Sequence, residues 1–501
     1  MRSDRALCTA ARETPAGPAH PAYAGPVPRR EEVRRVSITR RSALAMTVAV
    51  GAATAMLAGV FPGANAAPSP TAQQPGTSYV YRVPGGVAKS ESLLREGFDV
   101  LEERQGGDLF VMGPAEVGGK LRASGHQVQV EQVLPPLTWT PPARSGQAAS
   151  LDAKVAEETY YGGYRTVNAQ YAHLDQVARE HAALATVVDY GDSWRKSRGS
   201  GGYDLKAICI TKKNTGDCAL STAAPKPRLF VMGQLHAREI TTGDVAYRWI
   251  DHLTDGYGTD TQVTNLLNTT EVWVVPIANP DGVDIVQRGG SYPYLQRKNA
   301  NNTNGAGCGT TGGSSQVGID LNRNTSSGYG VGSSTQPCSE TYRGASANSE
   351  VETKALQSLW RSLYRDRRAT GTTAAAPADT TGMVISMHSY SNMVLFPWGF
   401  NSSVKSGNDA SLRAIARQMA SLAGGWRYGQ PGEILYNAGG ATDDWVYDDL
   451  GVSSFVWEIG NPSGTCSGFT PAYSCQTSLY WPKVKGMLLY AASKTARPYS
   501  S

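Results

Sequence analysis

The sequence predicts an α/β protein: a mixed, mostly parallel central sheet covered by helices on both faces, with a small α/β module in front of it. Two observations carry that expectation. From about residue 157 onward, short apolar runs alternate with amphipathic segments of helical period, the pattern of a sheet whose strands are joined through helices. Ahead of them, residues 78–133 hold a smaller set of such runs. The stretch 134–149 between the two contains Pro135, Pro136, Pro141 and Pro142 and can be neither a central strand nor a helix interior.

In chain order, the small module has strand candidates at 79–83, 98–101, 109–111 and 128–133, with 91–94 as part of a short helix. The main unit has strand candidates at 206–210, 228–232, 272–277, 383–387 and 455–459. Helices are expected at 168–180, 241–253, 350–364, 411–422 and 479–492. Sheets of this kind carry their sites at the carboxyl ends of the strands, so the loops after these runs should hold the chemistry. No internal repeat is present.

The chain has 501 residues, 40% of them hydrophobic and 18% charged, enough for a large core. The net charge of +5 comes without a Lys/Arg block in the main unit, which argues against a nucleic-acid partner. Residues 1–66 read as a leader. Thr39-Arg40-Arg41 precedes an apolar run from about residue 43 to 61 and then Ala64-Asn65-Ala66. A basic region, an apolar stretch and an A-x-A site make a cleaved export signal, and the adjacent arginines fit the twin-arginine route. The expected organisation is therefore a leader over 1–66, a linker and propeptide over 67–150, and the main unit over 151–501, secreted and free of the membrane after cleavage. Cys8 falls in the leader. The other six cysteines lie in three close pairs, Cys209 with Cys218, Cys308 with Cys338 and Cys466 with Cys475. In an exported chain they are disulfide candidates.

The apolar run ending at Leu235 empties into His236-Ala237-Arg238-Glu239. A His and a Glu three apart, just past a strand, can turn toward one point, and imidazole and carboxylate suit Zn2+. A third ligand is needed. His20 lies in the leader and His126 in the small module, while His173, His181 and His252 sit on expected helices. His388 remains, directly after the run 383–387.

With these residues the main unit resembles the zinc metallocarboxypeptidase family, that of pancreatic carboxypeptidases A and B and of bacterial carboxypeptidase T-like enzymes. The resemblance covers most of 157–495 in ordered blocks. They are His236-Ala237-Arg238-Glu239, Asn279-Pro280-Asp281-Gly282, Arg297-Lys298, Asp320-Leu321-Asn322-Arg323-Asn324, Tyr342-Arg343-Gly344, Ser349-Glu350, His388-Ser389-Tyr390, Leu435-Tyr436-Asn437-Ala438 and Phe455-Val456-Trp457-Glu458.

The resemblance implies that His236, Glu239 and His388 hold one Zn2+ and that Asp320 orients the ring of His236. Glu239 as a helix cap and Asp320 as an ordinary loop residue are the plainer readings. It implies Glu458 as general base, Arg297 as the donor to the developing oxyanion, and Asn322 with Arg323 as the anchor for a terminal carboxylate. Tyr436 would close over the substrate, and Arg238 would bind substrate beside the metal. Asp443, seven residues past Tyr436, would sit at the floor of the side-chain pocket and attract Lys or Arg. It equally fits as an acid at a helix start, since Thr442-Asp443-Asp444 opens one. The implied function is a secreted exopeptidase acting on peptides with a free C-terminus, monomeric, activated by another protease, with a broad preference for basic and apolar C-terminal residues. A structural Ca2+ is allowed, because some bacterial relatives bind it. Rival readings are a cell-wall peptide or other amide hydrolase on the same scaffold, and an inactive binding module. The segment between Arg297 and Asn322 is longer than in the pancreatic pattern and rich in Asn, Thr and Gly. Cys308 and Cys338 flank Asn322 and Arg323 and would stiffen that loop.

Overall fold

The computed structural model describes residues 77–134, 158–310 and 315–500, all within one compact unit. The expected leader with Cys8 and His20, the linker, and most of the Pro-rich connector lie outside the described residues.

The small module runs β1 (Ser78–Val83), helix Ser90–Arg95, β2 (Asp99–Gln105), β3 (Asp108–Gly113), helix Ala115–Ala123 and β4 (Gln129–Leu134). Its four strands pair in the order β2-β3-β1-β4, all antiparallel, a split β-α-β arrangement. The helix Ala115–Ala123 was not expected: Gly118 and Gly119 lie inside it, and glycine is the weakest helix former after proline. Val117 and Leu121 nonetheless bury against the sheet.

In the main unit a two-residue hairpin, β5 (Thr159–Tyr160) and β6 (Tyr164–Arg165), precedes the sheet. Its strands are β7 (Ala185–Asp192), β8 (Asp204–Ile210), β9 (Arg228–Met232), β10 (Glu271–Val275), β11 (Met383–His388), β12 (Met393–Leu395), β13 (Arg427–Gly429) and β14 (Ser453–Glu458). They pair in the order β13-β12-β14-β11-β9-β10-β8-β7. The centre, β14-β11-β9-β10, is parallel. Residues of β9, β10, β11 and β14 are buried throughout, which is why these strands read as continuous apolar runs. Along β9, Leu229 and Val231 enter the core on one face and Phe230 and Met232 the core on the other. The five expected helices form as Val167–Glu180, Ile240–Gly256, Val351–Leu363, Asp409–Leu422 and Trp481–Lys494.

The Asn279-Pro280-Asp281-Gly282 block is the start of a helix, Pro280–Arg288. Asn279 accepts the N–H of Gly282, and proline occupies the first turn, where its missing N–H costs nothing. The six cysteines form three disulfides, each closing the sequence-local pair. No helix among the described residues is long and apolar enough to cross a membrane.

Candidate metal centre and active site

Three parallel strands deliver the central residues. β9 ends at Met232, and a turn follows. Gly233 packs so tightly that a Cβ there would lie 2.8 Å from the carbonyl of Thr242, and Gln234 donates its N–H to the Thr242 hydroxyl at 2.8 Å. This turn presents His236 and Glu239. β11 ends on His388 and β14 on Glu458, and the two are paired in register.

His236 Nδ1 lies 2.7 Å from Glu239 Oε1, His388 Nδ1 lies 2.9 Å from Glu239 Oε2, and the two Nδ1 atoms are 3.0 Å apart. The outer nitrogens are held separately: His236 Nε2 by Asp320 Oδ1 at 3.1 Å and His388 Nε2 by the Ser386 hydroxyl at 2.9 Å. An ionised Asp320 can only accept. With Nε2–H of His236 given to Asp320, Nδ1 turns a lone pair toward a carboxylate and a second imidazole. A buried knot of acceptors needs a cation at its centre, and two imidazoles with one carboxylate, oriented from behind, form a zinc-type donor set. Their ligand atoms lie within 4.8 Å of one another, and no other three His, Cys, Asp or Glu side chains among the described residues do so. The calcium that the resemblance allowed finds no support there.

Asp320 is saturated. Besides His236 it accepts the N–H of Asn322 and, through Oδ2, Nε of Arg297 at 3.0 Å. Burial works against its charge, but Arg297, His236 and Arg323 together hold the carboxyl well below its usual range. Glu458 is the reverse case. Its Oε2 is buried without a hydrogen-bond partner among the described residues. Burial, reinforced by the charges of Glu102 and Glu239, pushes its carboxyl well up.

Glu458 lines one cavity with His236, Arg297, Asn322, Arg323, Tyr436 and Asp443, so most of the expected site residues converge. The Asn322 side chain is fixed by Thr442 N–H at 2.9 Å. Arg323 donates to the carbonyls of Gly332 and Asn322. Asp443 lies in the first turn of helix Thr442–Leu450, where burial raises its carboxyl to about 6, offset in part by backbone N–H groups and Arg323. Arg238 is gripped by Asp99 at 2.9 Å through both nitrogens and by Glu340 at 2.7 Å, over the ring of Phe469.

That last contact reveals what the sequence reading missed, because Asp99 belongs to the small module. Strand β2 lies over the metal cavity. Glu102 Oε1 accepts from Arg297 Nη1 at 3.1 Å, and the Tyr436 hydroxyl donates to Val100 O at 3.2 Å. The apolar residues Phe98 and Val100 share a core with Leu395, Leu435 and Val456. Glu102 Oε2 has no partner among the described residues. About 40 Å3 of the cavity is left, room for water but far below the roughly 300 Å3 or more of a ligand site. The sequence offers only a weak hint, the three acids Asp99, Glu102 and Glu103 on one short strand; which partners they meet is set by the fold.

A family described as "Zinc carboxypeptidase" matches residues 170–481. The chain belongs to that family. Among curated family relatives, carboxypeptidase A2 of Mus musculus is 30% identical over 306 residues, which is 60% of this chain and 63% of that protein. Carboxypeptidase B2 of Homo sapiens is 31% identical over 313 residues, 61% of this chain and 64% of the relative. The matched part thus spans under two thirds of either relative. In fold, the chain is similar to carboxypeptidase A from Helicoverpa armigera, with a TM-score of 0.61 at 23% identity, covering 83% of this chain and 98% of the other. It is also similar to thrombin activatable fibrinolysis inhibitor, with a TM-score of 0.59 at 21% identity, covering 84% and 99%.

Proposed function

We propose that the protein is a secreted zinc-dependent exopeptidase that removes single residues from the C-termini of peptides, described here in its latent form. One observation carries the reading: His236 of the His236–Glu239–His388 cluster, Glu458 with its unpartnered Oε2, and the Asn322–Arg323 pair line one cavity among the described residues. Zinc bound by the cluster would polarise the scissile carbonyl and bring the pKa of its water to about 7.

The chain's own residues do the rest. Arg323, flanked by Asn322, takes the substrate's terminal carboxylate through its planar fork, which a mid-chain bond cannot offer. Arg297, held in place by Asp320, donates to the oxygen that gains charge during attack. Glu458 takes a proton from the attacking water on its free oxygen and returns it to the leaving amine. Tyr436 closes the cavity, and Arg238 binds the chain on the amino side of the cleaved bond. The cavity lining includes the apolar Leu395, Ala438, Ala441 and Val456 together with Asp443, which suits both apolar and basic C-terminal residues.

Residues 67–150 act as the propeptide and 151–501 as the enzyme, after an export leader over 1–66. β2 supports this division, since Glu102 occupies Arg297 and leaves no room for substrate. Cleavage by another protease between 135 and 157 would release the site. The test is hydrolysis of a hippuryl-type dipeptide by the processed protein, with the amidated analogue and a muropeptide as controls. Activity confined to the free acid, lost to a chelator and restored by zinc, is the expected result. Turnover of the muropeptide alone would favour the cell-wall reading, and zinc binding without turnover an inactive binding module.

A further inference from the structure

Beyond the metal cavity, two adjoining hollows of about 770 and 470 Å3 share Arg195, Ser200 and Arg288 as walls and form one trough. The floor of the larger is apolar: Ile285, Ala300 and Val317 are buried there, with Trp194 and Tyr294 packed against them. Its rim is cationic. Arg195 and Arg288 both bond a single carboxylate, Asp284, which also accepts from Tyr203. Arg198 is exposed, with no ion pair among the described residues. The side chains lining the two hollows thus include three guanidinium groups and one carboxylate, that of Asp284. The indole Nε1 of Trp194 is buried with no partner among the described residues, whereas a buried indole N–H usually finds one.

The loop carrying these groups is tied down firmly. Trp194 N–H donates to Glu352 at 2.8 Å and Arg195 N–H to Asp281 at 2.7 Å, while Ser193 bridges Asp281 and the N–H of Tyr203. Gly202, at φ +88°, leaves no room for a Cβ, which would lie 2.5 Å from Lys196 N. Committing two buried carboxylates to hold a short basic loop preorganises its arginines, as a binding site requires and a solvated surface loop does not. Chain and one hydrogen bond link the trough's lining to the catalytic cavity: Tyr294 lies three residues before Arg297, and Gln316, next to Val317, accepts the N–H of Arg297 at 2.8 Å.

We propose that this trough binds an acidic stretch of polypeptide, with carboxylates taken by Arg195, Arg198 and Arg288 and an apolar side chain seated against Trp194, Tyr294 and Ile285. Guanidinium forks match carboxylates, and Arg, Trp and Tyr are the residues concentrated at the cores of protein contacts. The aliphatic floor favours a peptide over a uniformly polar glycan. The choice of polypeptide rests on the peptidase reading, since the substrates are then themselves polypeptides and such a site would tether them to the enzyme.

The probe is a fluorescein-labelled peptide of alternating Glu and Leu with an amidated C-terminus, which cannot use the terminal-carboxylate anchor. Fluorescence anisotropy with processed protein should show binding that weakens as ionic strength rises. The double variant Arg198→Glu with Arg288→Glu should bind at least about tenfold more weakly, and Trp194→Phe several-fold more weakly. Hydrolysis of the short dipeptide should be unchanged in both variants. Equal affinity in the double variant, or equal binding of a Gln-for-Glu peptide, would overturn the proposal. So would tight binding of a sulfated polysaccharide with none of the peptide. Absent dipeptide hydrolysis would sink the peptidase reading alone, because the anisotropy does not depend on turnover.

Discussion

Asp320 and Glu458 are buried carboxylates on two sides of one metal cluster, and their surroundings treat them in opposite ways. The loop around Asp320 supplies a ring nitrogen, a backbone N–H and a guanidinium, leaving the acid ionised and immobile. The end of β14 supplies Glu458 with burial and neighbouring negative charge but leaves one oxygen unpartnered. A saturated carboxylate orients others, while an unsatisfied one is a poised proton acceptor. On the proposed function, the contrast puts Asp320 on the side of support and Glu458 on the side of chemistry.

The contrast breaks most cleanly at Glu458. Glu458→Gln keeps the shape and removes the proton acceptor, so kcat of the processed enzyme should fall by about 10²–10⁴-fold, the usual share of a general base, while zinc content by atomic absorption stays at one per chain. Loss of zinc in this variant would place Glu458 on the supporting side.

Next in size is Arg297→Ala. Removing one oxyanion donor costs about 10²–10³-fold in kcat. The same substitution removes the partner of Glu102, so if residues 67–150 act as the proposed propeptide, that segment should also dissociate faster after cleavage, as read by gel filtration. Retained activity would mean that Arg297 only braces Asp320.

Asp320→Asn should act on the metal instead. Such outer carboxylates contribute about 10–100-fold to metal affinity, so zinc should leave faster in a competing chelator, with a smaller fall in zinc-saturated kcat. If kcat fell as far as in Glu458→Gln, the two carboxylates would not differ as described.

How far the sequence spoke follows from the same physics. The central strands were legible because parallel strands are buried on both faces and read as unbroken apolar runs, and the metal residues because they stand where those runs stop. Edge strand β7 and the short β12 and β13 lack that burial or length, and they were missed. Helices Thr261–Thr269 and Pro280–Arg288 escaped because they are short and announced mainly by their caps, Asp260 and Asn279. Asp99 and Glu102 were invisible as site residues because their partners lie more than a hundred residues away in sequence, and only the fold brings β2 over Arg238 and Arg297. The basic loop 194–203 read as ordinary surface, since nothing local shows that Asp281 and Glu352 anchor it.

The smallest expected effect tests a third buried acid, intermediate between the other two. Asp443 has backbone N–H groups to hold charge but no ion pair among the described residues, and burial raises its carboxyl to about 6. A raised carboxyl is neutral below that pH and charged above it. The pocket should therefore favour C-terminal Lys over Leu at pH 7.5 and lose that preference by pH 5. A hydrogen bond to a charged group contributes about 1.5–3 kcal/mol, so the kcat/KM ratio of Lys to Leu substrates should shift by about 10–100-fold. Comparing both substrates at each pH cancels the titration of shared catalytic groups. Asp443→Ile should give a flat ratio favouring Leu throughout. A ratio in wild type that is flat across this range, with Lys preferred at both ends, would mean that Asp443 keeps its charge as firmly as Asp320 does.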